Sequence, residues 1–253
     1  MNAKDMKTLL SPATAAEVRV FPSLASTNTT LREWAEEGAP HGAAVIAEAQ
    51  TAGRGRLGRS FASPEGAGLY MSVLLRTGIA RERLPLLTPS VAVIAAEAIE
   101  ALSDVTVGIK WVNDLWIGSR KIAGILTEGS FAPGGELAYA IVGIGINLRS
   151  GCLPPELDGI AAAIGDFAPP PGREALAAAI LDRLLAVPEA LISGVLLPEY
   201  RRRSVVLGRE VTATDGSRTL FGVAREISDD GSLLLDIGGE TVALRAGEVS
   251  IRM

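Results

Sequence analysis

The run Gln50-Thr51-Ala52-Gly53-Arg54-Gly55-Arg56-Leu57-Gly58-Arg59 interleaves glycines with three arginines, and no acidic residue follows until Glu65. Glycine lets backbone N–H groups come close to an anion, and arginine offers a planar fork of donors matched to carboxylate or phosphate. Such a cluster repels itself and is expected to stay mobile until an anion orders it; taken alone, it reads equally as a solvated basic loop. Four further segments could do chemistry. Ser26-Thr27-Asn28 puts polar side chains at a helix start, where N–H groups already point outward, or serves only as a cap. Lys110-Trp111-Val112-Asn113-Asp114 ends a strand with a lysine, an amide and a carboxylate close together, or forms only a hairpin turn. Arg120-Lys121-Ile122-Ala123-Gly124-Ile125-Leu126 opens a strand with a lysine before an apolar run, and that lysine also reads as an ordinary exposed one. Gly143-Ile144-Gly145-Ile146-Asn147 sets two glycines inside a strand, marking the close approach of a ligand or relieving crowding under a helix.

Patterning predicts the elements that must hold these groups. Residues 17–21 alternate as a strand, and a helix follows over about 28–37, ended by Gly38 and Pro40. Residues 43–49 read as a buried strand running into the basic loop, and 69–76 as another. Residues 86–102 form a nearly uniformly apolar helix. Strands are expected at 105–111, 121–128 and 137–147, with turns at Gly118-Ser119 and Pro133-Gly134-Gly135. Residues 148–172, rich in Pro and Gly, read as an irregular connection. A helix at 173–187 should end at Pro188, and a second helical piece over 189–203 carries Arg201-Arg202-Arg203, read as a solvated face or helix C-terminus. After Gly208 short strands at 209–214, 218–227, 232–237 and 240–245 alternate with tight turns, the texture of a small β-barrel of about 45 residues. The boundary falls near 204, giving domains 1–203 and 204–253.

Composition narrows the chemistry. Of 253 residues 48% are hydrophobic and 21% charged, an ordinary globular balance, and the formal net charge is −5. An acidic chain is a poor general binder of nucleic acid, so the basic loop reads as a local site. One cysteine, Cys152, and one histidine, His41, leave no intramolecular disulfide, nearly exclude a Cys/His zinc site, and leave little room for a Ser–His–Asp or Cys–His mechanism. His41, between Pro40 and Gly42, reads as a plain loop histidine. Neither a signal peptide nor an apolar run of the ~20 residues that a membrane span needs is evident, so the expected location is the cytoplasm, without membrane attachment.

Order and spacing then add a resemblance. Ser-Thr-Asn, Gln-x-x-Gly-Arg-Gly-Arg-x-Gly-Arg, Ser-Pro-x-Gly-x-Gly-Leu-Tyr-x-Ser, Lys-Trp-x-Asn-Asp, Arg-Lys-x-x-Gly-Ile-Leu and Gly-Ile-Gly-Ile-Asn, in that order from about residue 20, resemble the biotin protein ligases, as does the ending Gly247-Glu248-Val249-Ser250-Ile251-Arg252. The resemblance implies an α+β fold: a mixed, largely antiparallel sheet packed with helices, of the class II synthetase-like biotin/lipoate ligase type, with a small C-terminal SH3-like β-barrel. It implies an enzyme that uses ATP, with Mg²⁺, to make biotinyl-5′-AMP and then transfers biotin to a lysine of a biotin carboxyl carrier domain. By similarity Ser26, Thr27, Asn28 and Gln50, with Gly53, Arg54, Gly55, Arg56, Lys121 and Gly143, should surround biotin. Arg54, Arg56, Arg59, Phe61, Lys110, Asn113, Lys121, Gly145, Asn147, Glu248 and Arg252 should meet the nucleotide. Lys121 and Arg56 should counter charge as the acyl phosphate forms, and Asp114 should orient or deprotonate the incoming lysine. No protein metal-ligand set is implied.

The chain departs from the family pattern at three places. Phe61 stands where many members have a tryptophan beside the adenine, and Val112 replaces a proline, which should loosen the turn that places Asn113 and Asp114. Twenty-five residues precede Ser26, too few for the helix-turn-helix domain of members that also repress, so DNA binding is not expected. An exposed sheet edge could support a homodimer. Lipoate ligase is the nearest alternative, but its Arg-Arg-x-Ser-Gly-Gly-Gly type signature is absent. A non-catalytic biotin sensor would not need Lys121, Asp114 and the full arginine loop. A Rossmann enzyme would need a helix after Gly53-Arg54-Gly55 and an acidic residue further on.

Overall fold

The apolar segments pair into two sheets in the computed structural model, which describes residues 17–76, 78–186, 190–215, 218–245 and 248–251. The first sheet comprises β1 (Val18–Phe21), β2 (Ala44–Ala47), β3 (Gly68–Leu75), β4 (Gly108–Lys110), β5 (Asp114–Ile117), β6 (Arg120–Phe131) and β7 (Leu137–Asn147), in the spatial order β1-β2-β3-β7-β6-β5-β4. β1 and β2 run parallel, joined across α1 (Thr27–Glu36), and the remaining neighbours are antiparallel. The second sheet, β8 (Glu210–Asp215) to β9 (Arg218–Ile227), β10 (Leu233–Ile237), β11 (Glu240–Leu244) and β12 (Glu248–Ile251), is antiparallel in the order β11-β10-β9-β8-β12. The expected α+β class, with a mixed sheet and a C-terminal antiparallel β domain, is what forms.

Period-two alternation decides where a cavity can exist. On β3, Leu69, Met71, Val73 and Leu75 enter a core shared with α2 (Leu87–Leu102) and α3 (Arg173–Ala186), which seals that face of the sheet. The composition of Arg81–Leu102 alone would suit a membrane span, but most of its apolar surface is buried inside the protein. On the opposite face Leu74 packs with Leu31, Trp34 and Ala35 of α1. A helix of 10 residues spans only about 15 Å, so α1 covers part of that face. Beyond its N-terminus the floor is thinned by glycines and a serine. Ser72 lies opposite Gly143, which lies opposite Leu126; Tyr70 lies opposite Gly145, which lies opposite Gly124. Where the strands carry no bulk, a cleft of about 1010 Å³ opens.

Several elements differ from expectation. A strand at Asp114–Ile117 was not foreseen, because four residues between Asn113 and Gly118 carry too little pattern to read. β4 is confined to Gly108–Lys110, since the Val107 N–H is taken by the Glu100 carboxylate at 2.8 Å and leaves the ladder. The helix expected over 189–203 is two pieces, α4 (Ala190–Ser193) and α5 (Leu197–Arg203), separated by Gly194 at φ 84. Pro188, expected to end the preceding helix, lies outside the described residues. The arginine triplet forms the C-terminal turn of α5, as one of the two readings had it, and of the three only Arg202, 67% exposed, is solvated. Arg201 donates to the Ile227 carbonyl at 2.6 Å, and Arg203, its side chain 8% exposed, forks onto both Glu100 oxygens at 2.7 and 2.8 Å.

That fork ties α5 to α2. Burial pushes the Glu100 carboxyl up, but Arg203 and the Val107 N–H outweigh it and hold it below the ordinary glutamate value. The stabilisation is therefore present above the unfolded-state pKa and lost as pH falls through the folded-state value. Glu100→Gln is expected to lower stability at neutral pH by about 1–3 kcal/mol, and to flatten the acid limb of the unfolding profile. Urea titrations of both proteins at neutral and acid pH measure the difference.

Candidate functional site

The polar end of the cleft is built on the start of α1. Ser26 occupies the N-cap position but makes no side-chain capping bond, so its hydroxyl is not spent on the helix. Ser26, Thr27 and Asn28 are buried yet line the cleft. Gln50 Oε1 accepts from the Thr27 N–H at 2.9 Å and from Thr27 Oγ1 at 3.1 Å, while Gln50 Nε2 donates to Ser63 Oγ at 2.8 Å. Asn28 lies directly on β7: a Cβ at Gly143 would sit 2.2 Å from Asn28 Oδ1. Gly143 is thus required by a binding side chain rather than by a ligand's own approach.

The arginine loop is less self-repelling than its sequence suggests, because its partners come from afar. Arg54 pairs with Glu128 of β6 at 3.2 Å, and Arg56 donates to Asn113 Oδ1 at 3.3 Å. Between them Leu57, 72% exposed, adopts a left-handed backbone at φ 55 within a tight 3₁₀ turn at Arg56–Gly58, a conformation costing about 1–2 kcal/mol for a side-chain-bearing residue. Arg54, Gly55, Arg56 and Arg59 line the cleft. Gly53 does not; its open side is filled by the Phe61 carbonyl, 2.3 Å from where a Cβ would be.

Lys121 and Asp114 meet at the centre. Lys121 Nζ lies 2.7 Å from Asp114 Oδ1. The lysine backbone is fixed from outside its strand, donating to the Ile160 carbonyl at 3.1 Å and accepting from the Ala162 N–H at 2.8 Å. Asn113 is locked to β6 by its Nδ2 on the Ile125 carbonyl at 2.8 Å. Val112 does not leave this turn loose. Tyr200 Oη donates to the Val112 carbonyl at 3.0 Å, and Trp111 Nε1 reaches the Gly231 carbonyl, in the turn between β9 and β10, at 3.0 Å.

The remaining wall is flat and mixed. The Phe61 ring lies over Gly145, where a Cβ would come within 2.5 Å of it, and beside Gly124. It is edge-on to Tyr70 at 6.4 Å, and Lys121 Nζ lies 6.0 Å from its centroid. Lys110 Nζ sits 4.9 Å over the Trp116 ring. Asn147 Nδ2 donates to the Ala162 carbonyl at 3.1 Å, leaving its buried Oδ1 without a partner among the described residues, an acceptor that a ligand donor would satisfy. The structure thus brings the expected residues to one cleft, with Gly53 behind it. Arg252 and the side chain of Glu248 lie outside the described residues.

Sequence reasoning passed over several groups. Ser72 and Glu128 join the polar end; Leu153, Leu157 and Ile160 line the cleft from the segment read as a bare connection; Trp116 and Arg209 line it too. Period two along β6 from Gly124 would have put Leu126 and Glu128 on the cleft face. Among the described residues no cluster of three or more His, Cys, Asp or Glu could hold a metal.

The arrangement places neutral donors and acceptors at one end of a continuous cleft and a lysine–carboxylate pair with arginines at the other. It can hold a small polar ring while its acidic tail meets a second anion. Comparison with known proteins bears on this. Residues 20–147 match the Biotin/lipoate A/B protein ligase family, and residues 206–252 the Biotin protein ligase C terminal domain. The chain is similar to a bifunctional ligase/repressor BirA of Bacillus spizizenii, 34% identical over 84% of this chain and 67% of that protein. It is 33% identical to a biotin--[acetyl-CoA-carboxylase] ligase of Mycobacterium tuberculosis, over 92% of this chain and 88% of that one. Its fold is similar to that of the Aquifex aeolicus biotin protein ligase in complex with biotin and ATP, with a TM-score of 0.81 at 28% identity, covering 93% of this chain and 98% of that one.

Proposed function

The chain belongs to the biotin/lipoate A/B protein ligase family, and from that premise we propose that its cleft joins biotin to AMP beside Lys121 and passes the biotinyl group to a lysine of a carboxylase carrier domain. The protein is an ATP-dependent ligase of the biotin protein ligase type. The observation that carries the residue roles is the polarity of the cleft. Thr27, Asn28 and Gln50 offer both donors and acceptors, which suits a cyclic urea; the dithiolane of lipoate has no N–H or C=O to use them.

In the first step a biotin carboxylate oxygen attacks the α-phosphorus, the bond from that phosphorus to the bridging oxygen breaks, and pyrophosphate leaves. Two anions must touch. Lys121, Arg56 and Arg59 lower their repulsion and stabilise the charge gathering on the α-phosphate oxygens. Phe61, Asn147 and the apolar side chains of 153–160 form the wall against which the base and ribose lie. In the second step the carrier lysine nitrogen attacks the acyl carbon, the carbon–oxygen bond breaks and AMP leaves; Asp114 holds or accepts the amine proton. No protein nucleophile is used. Mg²⁺ fits as a passenger of the nucleotide: Asp114, which lines the cleft, is engaged by Lys121, so phosphate oxygens and water would supply most ligands. Bound there, the ion would offset charge on the leaving pyrophosphate. The dependence on ATP suits the cytoplasm. The outer edge of β4 is bridged by Ser204, while among the described residues β1 ends the sheet at the other side and is the edge where a second copy would pair.

ATP–pyrophosphate exchange with Mg²⁺ tests the reading. Exchange is expected with biotin and not with lipoate. Exchange with lipoate alone would overturn the ring assignment, and biotin binding without exchange would overturn the catalytic one.

A further inference from the structure

We propose that Glu128 is a positioning residue for the ring-binding end of the cleft: its carboxylate sets the direction of a hydrogen-bond chain through Asn28 and Ser72 to Thr27, and it tethers the arginine loop through Arg54. The first half rests on the biotin reading above; the tether does not.

The carboxylate is 19% exposed, on the cleft face of β6. Its Oε2 accepts from Asn28 Nδ2 at 2.8 Å, and its Oε1 meets Arg32 Nη2 at 2.9 Å and Arg54 Nη2 at 3.2 Å. Burial pushes this carboxyl up, but Asn28 and the guanidinium groups of Arg32 and Arg54 hold it below the usual range, so it is ionised at neutral pH.

An ionised carboxylate only accepts hydrogen bonds. Asn28 must therefore turn its nitrogen to Glu128 and its oxygen to Ser72. Ser72 Oγ lies 2.5 Å from Asn28 Oδ1 and 2.8 Å from Thr27 Oγ1. It has one proton, and the amide oxygen can only accept, so that proton goes to Asn28. Thr27 then faces two acceptors, Ser72 Oγ and Gln50 Oε1, and must give its own proton to one of them. What Thr27 turns to the cleft is a lone pair, the complement of a ring N–H. A glutamine at 128 could instead donate to Asn28, flip it, and send the Ser72 proton to Thr27, consuming a lone pair that the ligand needs.

The same carboxylate reaches the start of the arginine loop at Arg54. At the loop's far end Gln50 holds Ser63, whose hydroxyl donates to the Phe61 carbonyl at 3.1 Å. Both ends of the loop are thus tied to the network that binds the ring.

The test compares Glu128→Gln with Arg32→Gln in the full chain. Arg32 touches the same carboxylate but does not line the cleft, so its variant reports what mere weakening of a charge cluster does. In Glu128→Gln, biotin KM in pyrophosphate exchange should rise about tenfold with kcat within about twofold, and tryptic cleavage after Arg54 in ligand-free protein should accelerate by about threefold or more. Arg32→Gln should move neither by more than about twofold. Adding Asn28→Asp to Glu128→Gln restores an acceptor facing Ser72 and should recover most of the lost KM, which a damaged fold would not allow. An unchanged biotin KM in Glu128→Gln, an equal rise in Arg32→Gln, or a double variant no better than the single overturns the directional role. Unaltered cleavage after Arg54 overturns the tether. Absence of biotin-dependent exchange in the wild type would sink the biotin reading instead, leaving the cleavage result to stand by itself.

Discussion

Lys121→Ala is expected to slow biotinyl-AMP formation by about 10²–10³-fold, the scale for removing one donor aimed at developing transition-state charge. Two losses combine. The ammonium disappears from the point where carboxylate and α-phosphate meet, and Asp114, its partner at 2.7 Å, is left as an uncompensated negative charge facing both. The second loss gives the prediction its signature. Asp114→Ala combined with Lys121→Ala should adenylate faster than Lys121→Ala alone, because the repelling carboxylate is gone. Single-turnover rates of adenylate formation in the three variants check this. A Lys121→Ala enzyme within about tenfold of wild type would remove the lysine from its assigned place.

Gly143→Ala should weaken biotin binding by about 10–100-fold with a smaller effect on ATP. A single methyl would lie 2.2 Å from Asn28 Oδ1. β7 cannot retreat, since it is paired on both sides by β3 and β6, so Asn28 must leave and break its bonds to Ser72 and Glu128. Overpacking of this kind costs about 1–3 kcal/mol, and the broken hydrogen bonds add to it. Gly145→Ala is the counterpart. Its methyl would meet the edge of the Phe61 ring at 2.5 Å, and a ring at the cleft wall can swing aside, so ATP KM should rise less, by up to about tenfold. Titrating each variant separately with biotin and with ATP distinguishes the two floors. Equal losses for both ligands in Gly143→Ala would contradict the division of the cleft.

The motifs were legible because the chemistry requires particular residue types at set places on strands: a lysine near the start of β6, an Asn-Asp pair where β5 begins, glycines within β7. The long strands and the helix at 87–102 were legible from period and apolar length. What escaped depends on pairs distant in sequence. Arg54 finds Glu128, and Arg203 finds Glu100, across separations that no local pattern encodes. β5 escaped because its pairing with β4 and β6 makes it a strand, not its own four residues. The segment after Asn147 was read as a bare connection because nothing local reveals that its main chain brackets Lys121.

The bond from Trp111 Nε1 to the Gly231 carbonyl crosses 120 positions of the chain. During synthesis Trp111 and the Asn-Asp pair emerge from the ribosome long before their partner, and Tyr200, which holds the Val112 carbonyl, also comes late. The segment that places Asp114 therefore cannot take its finished form on a half-made chain. A nascent polypeptide already carries the residues that grip the ring, but the turn that presents Asp114 to an activated acyl group is held by contacts that only the later part of the chain supplies.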